Sequence, residues 1–324
     1  MNLLITGGRG FIGTNFILNM IDKSEINKLV NFDCCTYAGM YDNLEHLKDH
    51  PKYTEVIGSV VNREDLLECF VKYDISHVIN FAAESHVDRS ISNPRLFFET
   101  NSLGVGTLLQ VCLDCKTEKV VQIGTDEVYG SLGEEDYASV EWNVLKPRSP
   151  YSASKASGDL IALSYFHTYD LDVSVTRSSN NYGPYQYPEK LIPRFITNVL
   201  QDQKVPLMGD GSNIRDWIHV SDNCSGIWKV LTMGEAGEIY NIGGGNRKTN
   251  KEITLLILDH LGKDESWIET IDHRLGHDFK YALDSGRIKR MLNWKPRKKF
   301  EDGLKETVDW YVKNPYWWRR VKTK

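Results

Sequence analysis

The stretch that decides the fold is Leu3-Leu4-Ile5-Thr6-Gly7-Gly8-Arg9-Gly10-Phe11-Ile12-Gly13, close to the start of the chain. Its first four residues predict a short buried strand, and its glycines predict a tight turn that opens a helix. Such a turn lets the backbone approach a pyrophosphate closely. The helix N-terminus then presents free N–H groups and a positive dipole end to the phosphates. The stretch therefore predicts a dinucleotide-binding site built on Gly7, Gly10 and Gly13.

An acidic residue at the end of the next predicted strand indicates which dinucleotide binds. Asp33 stands twenty residues after Gly13 and closes a strand expected over 29–33. A carboxylate at this place accepts hydrogen bonds from the adenosine ribose hydroxyls and repels a 2′-phosphate. No arginine follows it closely. We therefore expect NAD rather than NADP as the cofactor.

Short β-rich runs alternate with longer amphipathic segments along the first half of the chain. Further strands are expected at 56–58, 77–81, 120–124 and 173–177. This alternation indicates an α/β fold, a Rossmann-type doubly wound parallel sheet covered on both faces. After about residue 180, prolines and glycines interrupt the pattern. We expect an NAD-binding domain over 1–180, which carries the catalytic motifs, and a smaller C-terminal substrate-binding lobe over 181–324, from which some segments could return to the main sheet.

The composition excludes several classes of protein. With 39 Lys+Arg against 44 Asp+Glu the formal net charge is −5, which argues against a nucleic-acid partner or an anionic membrane surface. No apolar run approaches the roughly 18 residues of a membrane helix, and the N-terminus lacks a signal pattern. The six cysteines are expected as free thiols, and Cys112 and Cys115 lack the further ligands of a metal site. We expect a soluble, cytoplasmic protein without a metal.

A tyrosine and a lysine in the segment Tyr151-Ser152-Ala153-Ser154-Lys155 indicate catalysis. They are four residues apart at the start of a predicted helix, and so share one helix face. A tyrosine hydroxyl titrates near about 10 in water. An ammonium group and an oxidised nicotinamide nearby would lower that pKa, which suits a base that takes a proton from a sugar hydroxyl.

The glycine turn together with Tyr151 and Lys155 resembles the extended short-chain dehydrogenase/reductase superfamily. A more specific block, Gly124-Thr125-Asp126-Glu127-Val128-Tyr129-Gly130, follows the fifth predicted strand and resembles the signature of the dTDP-glucose 4,6-dehydratases. The resemblance covers about residues 1 to 318. Further blocks that match this family are 82–90, 180–193, 215–217, 241–244 and 274–278.

The resemblance implies a hydro-lyase that oxidises C4 of a hexose, eliminates water across C5–C6 and returns the hydride to C6. In this reaction Tyr151 is the base at the 4-hydroxyl, and Thr125 hydrogen-bonds that oxygen. Glu127 removes the C5 proton, and Asp126 protonates the departing 6-hydroxyl. The acid must be neutral and the base ionised, so their environments should separate the two pKa values. NAD is regenerated in each cycle and stays bound.

The resemblance also implies binding residues and an assembly. The implied substrate is dTDP-glucose, a nucleotide-diphospho-hexose, on a route to deoxysugars such as rhamnose, and the implied assembly is a homodimer formed through helices that include 94–115 and 153–169. The residues expected to contact NAD, besides the glycines, are Phe11, Ile12, Asp33, Ala82, Ala83, Thr100, Tyr151, Lys155 and Asn181. The residues expected to hold the nucleotide-sugar are Ser85, Thr125, Asn180, Lys190, Leu191, Arg215, Asn241, Arg274 and His277, with Arg215 and Arg274 facing the diphosphate.

Three positions depart from the family pattern. Gly124 replaces a serine, Ser59 replaces an aspartate expected at the adenine, and Leu275 replaces a proline. We expect these changes to alter affinity rather than the type of reaction.

Three other functions stay open for this sequence. The alternatives are a UDP-glucose 4,6-dehydratase, an NAD-dependent nucleotide-sugar 4-epimerase, and a non-catalytic NAD-binding protein. An epimerase would have small hydroxyl residues in place of Asp126 and Glu127.

Overall fold

The computed structural model describes residues 1–322 and places seven parallel strands in one sheet, in the order β3-β2-β1-β4-β5-β6-β10. This is the predicted Rossmann-type doubly wound α/β fold. The strands of the chain are β1 (Asn2–Thr6), β2 (Lys28–Asp33), β3 (Tyr53–Ile57), β4 (His77–Asn80), β5 (Lys119–Thr125), β6 (Val173–Ser178), β7 (Asn180–Tyr182), β8 (Val205–Met208), β9 (Ile214–His219), β10 (Ile239–Ile242), β11 (Asn246–Thr249) and β12 (Ile268–Ile271).

The described residues form twelve α-helices, some of which cover both faces of this sheet. They are α1 (Phe11–Met20), α2 (Arg63–Tyr73), α3 (Val87–Ser92), α4 (Pro94–Phe98), α5 (Gly104–Asp114), α6 (Pro150–Tyr169), α7 (Leu191–Val199), α8 (Val220–Met233), α9 (Asn250–His260), α10 (Gly286–Leu292), α11 (Phe300–Lys313) and α12 (Pro315–Lys322). A π-helical turn, Glu99–Leu103, joins α4 to α5, and 3₁₀ turns lie at Tyr41–Leu47, Asp126–Tyr129 and Glu265–Trp267.

Side chains that alternate along the strands supply two apolar cores. In β1, Leu3 and Ile5 pack with α1 and α8 on one face, whereas Leu4 packs with α2, α5 and α6 on the other. All three side chains are fully buried, which explains why β1 reads as a continuous apolar run. The sheet thus stands as the middle layer of three, and its carboxyl edge stays open for loops.

The later part of the chain builds a second, smaller core beside that edge. Its elements are a three-stranded sheet in the order β11-β9-β7 and a two-stranded sheet of β12 and β8. Helices α7, α9, α11 and α12 pack around them through residues such as Phe195, Ile257, Leu304 and Trp318. β10 instead pairs with β6 in the main sheet, so that sheet contains one strand from the range 181–324.

The third strand is the one whose position the sequence analysis misplaces. It covers Tyr53–Ile57, not 56–58, and ends before Gly58. A Cβ atom at Gly58 would lie 2.5 Å from the ring of Phe32, so this glycine marks a close approach after the strand. The smaller errors at the other strands are of one or two residues, as expected for element ends.

One helical segment departs from the expectation that no run has the size of a membrane helix. Among residues 1–322, Pro94–Asp114 is the one segment long and apolar enough to cross a membrane, and 44% of its most apolar stretch is buried. Val105, Leu108 and Leu109 of this segment lie in the core beneath the sheet. A helix packed in a protein core meets the same criterion of length and composition.

Candidate active site

A cleft of about 520 Å³ opens at the carboxyl ends of β1, β2, β4, β5 and β6. Every residue predicted to contact the cofactor and every predicted catalytic residue lies on its wall, as do Ser85, Asn180 and Lys190. The structure therefore brings together residues that are up to 183 positions apart in the sequence. The predicted substrate residues that lie outside this wall are Leu191, Arg215, Asn241, Arg274 and His277.

The glycine turn leaves no room for side chains. Gly7 has φ +67°, and a Cβ atom there would lie 2.7 Å from the backbone nitrogen of Ala82. A Cβ atom at Gly13 would lie 2.5 Å from the carbonyl oxygen of Gly7. Helix α1 starts directly after Gly10, with no side chain capping its N-terminus. Its first N–H groups therefore face the cleft at a place that fits a pyrophosphate.

Asp33 lies at the end of β2 with its carboxylate already fixed. Oδ2 accepts a hydrogen bond from the backbone N–H of Arg9 (2.9 Å), and Oδ1 accepts one from that of Cys35 (2.7 Å). These bonds hold the carboxylate toward the cleft, where each oxygen keeps a further lone pair for a ribose hydroxyl. Burial raises the pKa of Asp33, and both backbone bonds oppose that rise.

Unsatisfied polar atoms at the other end of the cleft also fit a ligand. The Oδ1 atoms of Asn180 and Asn181 and the hydroxyl of Ser179 are buried, and in the described part of the chain they have no hydrogen-bond partner. All three residues line the cleft. A buried polar atom without a partner is costly, so these atoms are well suited to bind polar groups of a dinucleotide or sugar.

Helix α6 holds the tyrosine and the lysine. Ser149 and Ser152 form a capping box at its start, which fixes the first turn and hence Tyr151. The side chain of Thr125 acts on Tyr151 in the direction that lowers its pKa. Lys155 donates from Nζ to the carbonyl oxygen of Ile123 (2.5 Å). The lysine is thus anchored to the end of β5, one helical turn from the tyrosine.

The predicted lowering of the Tyr151 pKa is not found in this structure. Burial raises the pKa of Tyr151, and the carboxyl group of Glu127 adds to the rise. Burial also lowers the pKa of Lys155, whose ammonium group is directed at a carbonyl oxygen. The expected lowering therefore depends on the bound nicotinamide, because burial and the two neighbouring acids act against it.

Asp126 and Glu127 follow β5 directly, as the sequence predicts, and begin a 3₁₀ turn that points both toward the cleft. Thr125 caps this turn by accepting the N–H of Glu127 (3.3 Å). Its hydroxyl also lies 3.3 Å from Oδ1 of Asp126. Oδ2 of Asp126 is buried, and no described residue is its hydrogen-bond partner. That oxygen is therefore available to a ligand.

The two carboxyl groups have different electrostatic surroundings. Burial raises the pKa of Asp126 well above its usual value, and the carboxyl groups of Glu127 and Asp216 raise it further. Burial raises the pKa of Glu127 as well, but the charges that act on it most strongly after burial are cations: Lys190, Arg274 and Arg215. The neutral form of Asp126 is thus favoured more strongly than that of Glu127, because the nearby cations partly offset the effect of burial on Glu127.

These three cations are themselves held in place by the protein. Lys190 donates to the carbonyl oxygen of Ser85 (2.6 Å), and Arg274 pairs with Asp88 (3.6 Å). Arg215 is 5% exposed, and its guanidinium donates to the carbonyl oxygens of Ile214, Asp278 and Phe279. Although Arg215 and Arg274 lie off the cleft wall, their charge reaches Glu127.

Asn241 occupies a different place from the one predicted. It is fully buried on β10, where Oδ1 accepts a hydrogen bond from the Tyr129 hydroxyl (2.8 Å) and Nδ2 donates to Ser139 (3.0 Å). Leu191 begins α7 beside Lys190, and His277 pairs with His273 on a loop. The amide of Asn241 thus supports the residues behind the catalytic turn.

Of the three departures from the family pattern, Gly124 is explained by packing. A Cβ atom there would lie 2.8 Å from the carbonyl oxygen of Thr176 and 2.9 Å from Oδ1 of Asp159. The glycine therefore accommodates a close approach of α6 and β6. Ser59 lines the cleft, and Leu275 is 78% exposed on a loop.

A polar cluster that was not predicted surrounds Glu189 on the wall of the cleft. Glu189, next to Lys190, accepts the Tyr37 hydroxyl (3.0 Å) and lies 3.7 Å from both His86 and Arg89. Burial lowers the pKa of His86 to about 4, so this imidazole is neutral at pH 7. Glu189 and His86 stand inside blocks that match the family, and this is the signal that could have identified them.

Comparisons with known proteins agree with this architecture. A family model described as GDP-mannose 4,6 dehydratase matches residues 4–307. The low-salt glycan biosynthesis protein Agl12 of Haloferax volcanii is 46% identical over 96% of this chain and 99% of that protein. A dTDP-glucose 4,6-dehydratase of Streptomyces antibioticus is 44% identical over 99% of this chain and 96% of its own length.

A solved structure agrees equally well. The dTDP-glucose 4,6-dehydratase DesIV of Streptomyces venezuelae, crystallised with NAD, has a TM-score of 0.96 and is 46% identical. The match covers 99% of this chain and 100% of DesIV. Identity of this extent, over the whole length of chains that share the fold, establishes the relationship. The chain belongs to the dTDP-glucose 4,6-dehydratase family of extended short-chain dehydrogenases/reductases.

Proposed function

We propose that the protein is a hydro-lyase that converts dTDP-glucose to dTDP-4-keto-6-deoxyglucose with NAD as a recycled cofactor, on a route to deoxysugars such as rhamnose. The observation that carries this proposal is the pair Asp126 and Glu127. Burial and two neighbouring carboxyl groups raise the pKa of Asp126, whereas three cations act on Glu127, and both residues line the same cleft as Tyr151. A 4-epimerase has no use for such a pair, because it removes no water.

The NAD site is assigned to the wall of the cleft that runs from the glycine turn to Lys155. We infer that Gly7, Gly10 and Gly13 hold the pyrophosphate and that Asp33 accepts the adenosine ribose hydroxyls. The further residues of this site are Phe11, Ile12, Ala82, Ala83, Thr100, Tyr151, Lys155 and Asn181. NAD bound there would supply hydride transfer from C4 and back to C6, and its positive nicotinamide would lower the pKa of Tyr151.

Each proton has an assigned acceptor or donor among the residues of this chain. Tyr151 receives the proton of the sugar 4-hydroxyl, and the Thr125 hydroxyl holds the oxygen atoms in line. Glu127 then removes the C5 proton, which the 4-ketone makes acidic, and returns it to C5 when the hydride reaches C6. Asp126, neutral because of its burial, gives its proton to the departing 6-hydroxyl.

The substrate side of the cleft is assigned to polar residues and cations. Arg215 and Arg274 are proposed to face the diphosphate, because a guanidinium group matches the geometry of phosphate oxygens. The remaining residues assigned to the nucleotide-sugar are Ser85, Thr125, Asn180, Lys190, Leu191 and His277, whereas Asn241 is left out because its amide is buried against Tyr129 and Ser139. A bound diphosphate would compete with Asp88 for Arg274, because their ion pair is partly exposed.

An incubation with purified nucleotide-sugars tests the function. The protein is mixed with dTDP-glucose or UDP-glucose without added reductant, and products are analysed by mass spectrometry. Loss of one water without net NADH supports the dehydratase, and the faster nucleotide identifies the substrate. An unchanged mass with a new 4-epimer would instead favour the epimerase, and no reaction with NAD bound would favour a non-catalytic protein.

We also propose a homodimer formed through Pro94–Asp114 and α6. The outer faces of these helices carry exposed apolar side chains, among them Leu103 (62% exposed) and Leu160 (57%). Apolar side chains of this size on adjacent helices favour a four-helix interface between two copies.

The dimer has its own test. Wild-type protein is expected at about twice 37.1 kDa in light scattering after size exclusion. The double substitution Leu103→Glu with Leu160→Glu is expected to give a monomer, because it buries four charges in the interface. Val312→Glu, on the exposed face of α11, is the matched control and should leave the mass unchanged. A dimeric double variant would exclude this interface.

Two further assignments remain proposals. The NAD-binding domain is assigned to 1–180 and the substrate-binding lobe to 181–324, with β10 contributed to the main sheet by the second range. A cytoplasmic location is supported by the six cysteines, which are free thiols in the structure.

A further inference from the structure

The C-terminal helix is connected to the glycine turn by a short chain of hydrogen bonds. Trp317, on α12, donates from its indole Nε1 to Oδ1 of Asn43 (2.7 Å). These two residues are 274 positions apart in the sequence. Asn43 belongs to the 3₁₀ turn Tyr41–Leu47, which follows β2 and its Asp33. The last helix of the chain therefore contacts a loop of the cofactor-binding half.

Asn43 in turn contacts the glycine turn and the start of α1. Its Nδ2 donates to the carbonyl oxygen of Arg9 (3.2 Å) and to the hydroxyl of Thr14 (3.2 Å). Asn43 is 2% exposed, so water does not replace these partners. The amide oxygen is committed to Trp317, and this fixes which end of the amide faces Arg9.

Arg9 is the central residue of the glycine turn, and its peptide groups are held on both sides. Its N–H donates to Asp33, and its carbonyl oxygen accepts from Asn43 and from the backbone N–H of Met40 (3.1 Å). The orientation of Asn43 therefore helps to set where the Arg9 carbonyl points. That carbonyl lies between the two glycines, Gly8 and Gly10, which shape the phosphate-binding loop.

Further contacts hold Trp317 and α12 against the 3₁₀ turn Tyr41–Leu47. Its ring packs edge-on against Tyr185 and Trp310, at centroid distances of 6.0 and 5.1 Å. Arg320, one turn further along α12, forms an ion pair with Asp42, the neighbour of Asn43. Two independent contacts thus join α12 to the same 3₁₀ turn.

We propose that Trp317 is a positioning residue for the cofactor: through Asn43 it holds the glycine turn in the conformation that retains NAD. This inference rests on the proposed placement of the pyrophosphate against the glycine turn. Without the indole donor, the Asn43 amide can rotate, and the Arg9 carbonyl loses a fixed partner. NAD then dissociates faster, while the chemistry at the distant end of the cleft continues whenever NAD is present.

The chain offers a matched pair of variants. Trp318, the next residue, donates from its own Nε1 to the carbonyl oxygen of Tyr311 (2.8 Å), which belongs to α11 and to neither turn. Trp317→Phe and Trp318→Phe each remove one indole hydrogen bond from α12 and retain an aromatic ring. Trp318 is 1% exposed, so its replacement should disturb the folding of the helix at least as much.

The measurement is the affinity and dissociation rate of NAD, with turnover assayed with and without added NAD. We expect Trp317→Phe to weaken NAD binding about fivefold to tenfold, the effect of losing one buried hydrogen bond. Its kcat at saturating NAD should equal that of the wild type. Trp318→Phe should bind NAD as the wild type does. Equal NAD affinity in Trp317→Phe and wild type overturns the inference, as does equal weakening in both variants.

A second variant keeps the test decisive if Trp317→Phe folds poorly. Asn43→Ala removes the intermediate link and should weaken NAD binding at least as much. In the Asn43→Ala background, Trp317→Phe should have no further effect, because the two act in series. Additive effects would overturn the inference. A wild-type protein that binds no NAD would overturn the proposed function as well, which separates the two failures.

Discussion

Replacing Glu127 by glutamine is expected to lower turnover of dTDP-glucose roughly 10²- to 10⁴-fold, the usual contribution of a general base. Glutamine has nearly the same size as glutamate, so the contacts of the turn persist, but an amide cannot take the C5 proton. The assay is steady-state turnover, with the absorbance of bound nicotinamide recorded in parallel. Because oxidation at C4 precedes elimination, the variant should accumulate reduced cofactor while no water is lost.

The control for this variant is Glu135→Gln. Glu135 is an exposed carboxylate on the loop that follows the same turn, so its replacement tests loss of charge without loss of the base. It should turn over like the wild type. Near wild-type turnover by Glu127→Gln would contradict the assigned base. A loss of turnover without any reduced cofactor would place its role before elimination.

The fold was predictable because its signals are local. The apolar run of β1, the glycines after it and the acid at the end of β2 all stand within the first 33 residues. These signals predict a strand, a tight turn and a carboxylate at the cleft, and the structure has all three. The catalytic turn was predictable for the same reason, because Asp126 and Glu127 follow their strand directly. The exception is β3, whose position along the chain was predicted wrongly.

The parts that could not be predicted depend on contacts between distant segments. The amide of Asn241 meets Tyr129 across 112 positions, and the guanidinium of Arg215 is directed at carbonyl groups 63 to 64 positions away. Such partners are chosen by tertiary packing and leave no spacing in the sequence. The rise that burial and Glu127 impose on the pKa of Tyr151 is hidden from the sequence for a related reason, because desolvation is a property of the folded cleft.

A buried ion pair behind the catalytic lysine also escaped the sequence analysis. Asp159 lies one helical turn after Lys155 on α6 and accepts a hydrogen bond from Nε of Arg177 on β6 (2.8 Å). The side chains of Asp159 and Arg177 are 0% and 2% exposed. Asp159 is also the charge that opposes the lowering of the Lys155 pKa by burial. One carboxylate thus stabilises two buried cations.

Asp159→Asn is therefore expected to lower the free energy of unfolding by roughly 3–5 kcal/mol, because removing one partner of a buried pair leaves an uncompensated charge. Urea denaturation measures this loss. Glu306→Gln is the matched control: its pair with Lys298 is half exposed, and its loss should cost less than about 1 kcal/mol. Without Asp159 the pKa of Lys155 falls further, so in any folded variant activity should decline at a lower alkaline pH than in the wild type. An unfolding midpoint equal to that of Glu306→Gln would show that Arg177 and Lys155 are neutralised by other groups.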